Sequence, residues 1–140
     1  MFFCLRIIPM LLVMGIIFFL SHQPGYTLHL PSIPGIDKIA HMFAYGLLAL
    51  TVLWFFGSAQ PASLLTVALK TILVCLLYGM TDEFHQSFIP CRAVSVFDLL
   101  ADLAGAILVC IIWLRNRVFR VTLTEKYLIL TKRLNGSYRT

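Results

Sequence analysis

Charge is scarce in this chain. Of its 140 residues only 12% are Asp, Glu, Lys or Arg, whereas 60% are hydrophobic and the mean hydropathy is +0.92. A single soluble domain of this size cannot bury that much apolar surface in one core, which excludes an ordinary water-soluble fold and leaves a membrane as the solvent. A disulfide framework is missing too: Cys4, Cys75 and Cys110 fall within or beside apolar runs, and only Cys91 lies in a polar connection. The chain has no solenoid-period repeat, no low-complexity tract, no Gly-x-Ser-x-Gly elbow, no His-Glu-x-x-His pair and no nucleic-acid-binding module.

What the chain has instead is apolar runs near the roughly 20 residues that a spanning helix needs. They cover Ile7 to Leu20, extended across Arg6, then Ile39 to Phe56, Ala62 to Met80 and Val96 to Leu114. The expected fold is all-α: a polytopic bundle of four transmembrane helices over residues 1–114, followed by a basic cytoplasmic tail, 115–140. A basic residue before the first run also fits a secretory signal, but Ser21-His22-Gln23-Pro24 lacks a small-x-small cleavage pattern, so that run is expected to stay as a helix.

Orientation follows from the basic residues. Arg115, Arg117, Arg120, Lys126, Lys132, Arg133 and Arg139 follow the last run against a single Glu125, and such an excess marks the cytoplasmic side. Four crossings then place both termini in the cytoplasm, with Arg6 near that surface and Lys70 snorkelling toward it. The net charge of +5 is concentrated in this tail, where it suits anionic lipid better than nucleic acid. The tail segments Val121–Thr124 and Tyr127–Leu130 fit a strand or a lipid-surface segment equally well. Trp54 and Trp113 are expected to form an interfacial belt at the inner ends, and His22 and His29 to be solvated in an outer connection.

Five of the six acidic residues gather at the opposite, outer helix ends: Asp37 with Lys38 and His41, Asp82 and Glu83 with His85, Gln86 and Arg92, and Asp98 with Asp102. Asp37/His41, Asp82/Gln86 and Asp98/Asp102 are spaced i,i+4, so each pair forms a stripe on one helix face. Asp37 and Asp98 also fit helix N-terminal positions, where a carboxylate satisfies free amides. His41 and Asp102 lie about 6 Å deeper at 1.5 Å rise per residue, beyond capping reach, and are expected to face the bundle interior or a watery pocket. Arg92 can grip a phosphate or a carboxylate; with carboxylates in excess, pairing to Glu83 or Asp98 is the expected role. Neither a metal nor another cofactor is expected, because Glu83-x-His85 is not a recognised ligand spacing. A His beside a carboxylate also permits acid–base chemistry, with Ser21, Ser87, Ser95 or Cys91 as candidate nucleophiles.

Taken together, Ser21-x-Gln23-Pro24, Asp37-Lys38-x-x-His41-x-x-Ala44-Tyr45, Tyr78-Gly79-x-x-Asp82-Glu83-x-His85-Gln86, Pro90-x-Arg92 and Asp98-x-x-x-Asp102-x-x-Gly105 resemble the VanZ-like membrane proteins, over about residues 17–110. Two positions depart from that pattern: Cys91 stands where glycine is expected, and Asp102 where asparagine is usual. The resemblance implies a bacterial cytoplasmic-membrane protein of the cell envelope. The family takes its name from an accessory protein that lowers susceptibility to teicoplanin, a lipid-tailed glycopeptide, but a general envelope role is expected over dedicated antibiotic resistance. The expected function is binding of a lipid-linked or amphipathic envelope molecule in an outward polar pocket lined by Asp37, His41, Asp82, Glu83, His85, Gln86, Arg92, Asp98 and Asp102. An enzyme acting on a lipid headgroup or peptidoglycan precursor, with or without a metal, is the alternative. A third reading treats the polar groups as interhelical glue. Membrane lipids are the expected partners, with no nucleic acid.

Overall fold

In the computed structural model the described residues are 2–27, 34–59 and 63–125. His29, Lys126, Lys132, Arg133, Arg139 and the Tyr127–Leu130 segment lie outside them, as do the side chains of Cys4 and Glu125. The described chain is all-helical: α1 (Phe2–Ser21), α2 (Ile36–Ala59), α3 (Leu64–Gln86), α4 (Val96–Arg115) and a short α5 (Arg117–Arg120) that continues into a π-helical turn, Val121–Glu125. The tail segment Val121–Thr124 is therefore helical and not a strand.

Three of these helices, from Ile36, Leu64 and Val96, are long and apolar enough to cross a membrane; α1 adds a shorter apolar stretch, Arg6–Ser21. Large apolar side chains cover the outside of the bundle, among them Leu12, Phe19, Phe43, Leu65, Phe84 and Leu108. That inversion, with apolar groups outward and polar groups buried, is what a lipid solvent selects.

Inside, Val13 and Ile17 of α1 pack on Tyr45, Leu48, Ala49 and Val52 of α2, with Cys75 and Ala106 closing the layer from α3 and α4. A second cluster joins Leu53, Val67, Ala68, Cys110 and Trp113, and Phe119 and Leu123 pack against it. Trp113 is 1% exposed, so it is a core residue and not part of an interfacial belt. Lys70 is exposed, with its ammonium 5.7 Å from the Phe56 ring centroid.

Helix ends follow local chemistry. The Ser63 hydroxyl accepts from the Thr66 amide at 3.1 Å and starts α3. At the other end α3 runs past Met80, where the apolar run stops, to Gln86. The polar residues Asp82, Glu83 and Gln86 remain helical because each finds a partner inside the bundle. The α2–α4 crossing is set by Gly105, where any Cβ would collide with the Met42 carbonyl oxygen; small residues at such crossings let backbones approach closely.

Gly105→Ala is expected to push α4 off α2 and lower stability by about 1–3 kcal/mol, the usual penalty for overpacking. Thermal unfolding in detergent checks this; an unchanged midpoint would show that the contact is dispensable.

Candidate functional site

The ends of α1 and α3 and the starts of α2 and α4 meet at one end of the bundle. Lys38 sits at the first turn of α2 and bridges two helices, with Nζ 2.7 Å from Asp37 Oδ2 and 2.8 Å from Asp98 Oδ1. Asp37 and Asp98 both stand in the first turns of their helices, and both carboxylates also bind this ammonium. The amide of Ser95, just ahead of α4, donates instead to Glu83 Oε2 at 2.9 Å, so α3 supplies the acceptor at the start of α4.

One turn deeper, His41 Nδ1 lies 2.9 Å from Asp102 Oδ1. Asp102 is 1% exposed, and Gly79 leaves room for it, since a Cβ there would stand 3.1 Å from Asp102 Oδ2. The depth expected for these two groups is therefore matched by an interior placement. Beside them, Asp82 Oδ2 accepts from Ser21 Oγ at 2.9 Å and from Gln86 Nε2 at 3.0 Å, tying the end of α1 to α3. The i,i+4 stripe Asp82/Gln86 is thus a real hydrogen bond.

Two expected members have other roles. Arg92 pairs with neither Glu83 nor Asp98: its Nη2 donates to the Leu20 carbonyl at 2.9 Å and its Nε to the Gln23 carbonyl at 3.1 Å. It closes the end of α1, whose last carbonyls lack intrahelical partners. His85 turns toward α1, where its ring stacks on Phe18 at 4.6 Å between centroids and its Nε2 lies 3.2 Å from Nδ1 of the exposed His22. The connection before α4 is strapped down as well: Gly25 donates to the Pro90 carbonyl at 3.2 Å, and a Cβ on Gly25 would strike the Cys91 carbonyl. Cys91 adopts φ 58°, the left-handed region that favours glycine. That conformation explains physically why glycine is expected at this position.

Between these groups lies a cavity of about 260 Å³ lined by Ile17, Leu20, Ser21, Asp37, Ala40, His41, Ala44, Tyr45, Asp82 and Arg92. Apolar side chains of α1 and α2 make up most of its wall, interrupted by Ser21, Asp37, His41, Asp82 and Arg92. Two lining residues carry buried atoms with no hydrogen-bond partner among the described residues, Tyr45 Oη and Asp82 Oδ1; Glu83 Oε1 and Asp102 Oδ2, which do not line it, are unpartnered too. Buried polar atoms in native proteins are satisfied by protein, water or ligand, so the two lining orphans indicate room for something polar in the cavity. Ligand atoms of His41, Glu83 and Asp98 also lie within 4.8 Å of one another. A larger cavity of about 430 Å³ at the opposite end, lined by Pro9, Leu50, Thr51, Trp54, Phe119, Thr122 and Leu123, holds no titratable group and offers no comparable chemistry.

Lys38, Ser21 and Tyr45 join this end of the bundle beyond the residues expected from the sequence. All three stand in the family-like motifs beside expected pocket residues, so position in the motif is the available signal. The Glu83–Ser95 contact had none, because a backbone amide has no side-chain identity.

A protein-family model described as VanZ/LLP1 matches residues 5–120. A curated relative, an uncharacterized protein of Schizosaccharomyces pombe, is 34% identical over 113 residues, covering 77% of this chain. The match spans 66% of that relative, just under two thirds of its length. No solved structure matches the chain.

Asp102→Asn keeps an oxygen for His41 Nδ1 and is expected to leave the fold intact. Asp102→Leu strands a buried imidazole N–H and is expected to cost about 1–3 kcal/mol. Unfolding midpoints of the two variants check the contrast; equal stability would mean the His41–Asp102 bond holds nothing together.

Proposed function

The chain belongs to the VanZ/LLP1 family, and on that premise we propose that it is a four-span protein of a bacterial cytoplasmic membrane whose outward pocket binds a lipid-linked or amphipathic envelope molecule. Both termini lie in the cytoplasm in this reading, and residues 115–140 form a basic tail on that side. Exposed Arg115, the last residue of α4, and Arg117 just beyond it support the orientation. Packing of α1 against the same core as the longer helices supports a fourth crossing.

The observation that carries the reading is the mixed lining of the cavity, apolar and ionisable side chains together. Ile17, Leu20, Ala40 and Ala44 offer contact to an alkyl or isoprenoid segment, while Asp37, His41 and Asp82 offer hydrogen-bond acceptors and donors to a headgroup. A volume of about 260 Å³ is slightly below the common range for small-molecule sites, roughly 300–1,000 Å³. It suits the junction of a headgroup and its chain, not a whole glycopeptide. An influence on teicoplanin susceptibility then operates through the lipid-tailed part of such a molecule or through an envelope precursor. Asp37, His41, Asp82, Glu83, Gln86, Asp98 and Asp102 line or order the pocket; Arg92 and His85 hold its α1 side in place.

Ala44→Phe and Ala40→Phe fill the apolar half of the cavity without touching an ionisable group. Mass spectrometry of protein purified in mild detergent is expected to find a bound amphiphile in the parent chain and markedly less of it in either variant. Identical amphiphile content in all three would remove the pocket from consideration.

A second reading, acid–base catalysis on the headgroup, is favoured by one feature: His41 lines the cavity while Asp102 holds its Nδ1 from behind, an arrangement in which a carboxylate orients an imidazole for proton transfer. It predicts turnover of an envelope substrate that His41→Ala abolishes while the amphiphile still copurifies. Binding without turnover in the parent chain would sink it.

A further inference from the structure

Five carboxylates, Asp37, Asp82, Glu83, Asp98 and Asp102, share this end of the bundle with two permanent cations, Lys38 and Arg92. Arg92 is committed to the carbonyls of Leu20 and Gln23. Lys38 already holds two of the carboxylates. That leaves Asp82 and Glu83 with no cation and Asp102 with the His41 imidazole alone, and the three are 4%, 5% and 1% exposed respectively. Unbalanced negative charge at membrane depth is costly, so protons or a cation must complete the site.

We propose that His41, Glu83 and Asp98 bind a divalent transition-metal cation. Three helices supply one ligand each, α2, α3 and α4, and the ligand atoms lie within 4.8 Å of one another. The second-layer geometry is independent of that triangle. His41 Nδ1 is engaged by Asp102 at 2.9 Å, which leaves Nε2 as the nitrogen available for coordination. Metal-bound histidines characteristically donate their other ring N–H to a carboxylate in this way. Glu83 is the other indicator: Oε2 takes the Ser95 amide, and Oε1 is buried without any partner. An oxygen left so in a folded bundle is explained by an ion that it would ligate.

The donor set is one imidazole and two carboxylates, which suits Zn²⁺ or Mn²⁺ and is poorly matched to Mg²⁺, which prefers oxygen and water. Lys38 competes for Asp98, since its Nζ occupies Asp98 Oδ1. The ion therefore uses the other Asp98 oxygen or displaces the ammonium. With three protein ligands, coordination positions stay open toward the cavity that His41 lines, where an anionic headgroup or water fits. The site shares residues with the amphiphile pocket but does not depend on that reading, because metal retention is measured without any amphiphile.

The test uses the full chain purified in detergent, stripped with chelator, reloaded with Zn²⁺ or Mn²⁺ and desalted. Elemental analysis is expected to find about one ion per chain, with bound Mn²⁺ immobilised by its paramagnetic resonance spectrum. Glu83→Gln and Asp98→Asn each keep the shape of the side chain and are expected to weaken affinity at least about tenfold while circular dichroism stays unchanged. Lys38→Met removes the competing ammonium and is expected to retain the ion or bind it more tightly. His22→Ala, an exposed imidazole outside the ligand set, is expected to leave metal retention unchanged. Retention in the parent chain no greater than in Glu83→Gln, or loss confined to the His22 variant, overturns the proposal.

Discussion

A carboxylate held below a membrane surface must find its partner within the protein, and this constraint organises the whole polar end of the bundle. Asp82 is met by Ser21 and Gln86, Glu83 by the Ser95 amide, Asp98 by Lys38 and Asp102 by His41. Each of these bonds except Asp82–Gln86 joins residues on different elements. Helix packing and charge satisfaction are thus one problem with one solution: the four helices arrive at a register in which their acidic ends are shared out among neighbours. The apolar layer beneath, around Tyr45, Leu48, Ala49 and Val52, supplies the close packing that holds that register.

The same constraint explains which parts of the molecule could be read from the residues. Helices α2, α3 and α4 were legible because apolar runs of that length have few other uses, and their polar ends because charge is so rare elsewhere. Depth was legible too: His41 and Asp102 stand too far into their helices to be caps, and they pair in the interior. The end of α3 was less so. Hydropathy stops at Met80, yet the helix continues to Gln86, since what keeps it helical is a set of partners on other helices and not its own apolarity.

Side-chain partners beyond one helix were the least legible. Excess carboxylate near Arg92 suggested an ion pair, but carbonyl oxygens at the end of α1 also attract a guanidinium, and such acceptors leave no mark in a residue list. His85 shares a helix with Glu83 only two positions away, and that spacing sends the two side chains to different faces: Glu83 toward α4, His85 toward α1. Trp113 lies near a helix end, where an interfacial anchor is the expectation, but the returning Phe119 and Leu123 cover that end and bury it.

The clasp of Arg92 on α1 bears on how the protein is made. Its guanidinium reaches a carbonyl 72 positions earlier in the chain. During synthesis α1 emerges first, long before the residue that closes its end, and Ser21 likewise precedes Asp82 by 61 positions. The end of α1 therefore lacks these partners until the end of α3 and the α3–α4 connection have been made. The fold is closed by contacts between its first helix and its third, not by each helix in turn.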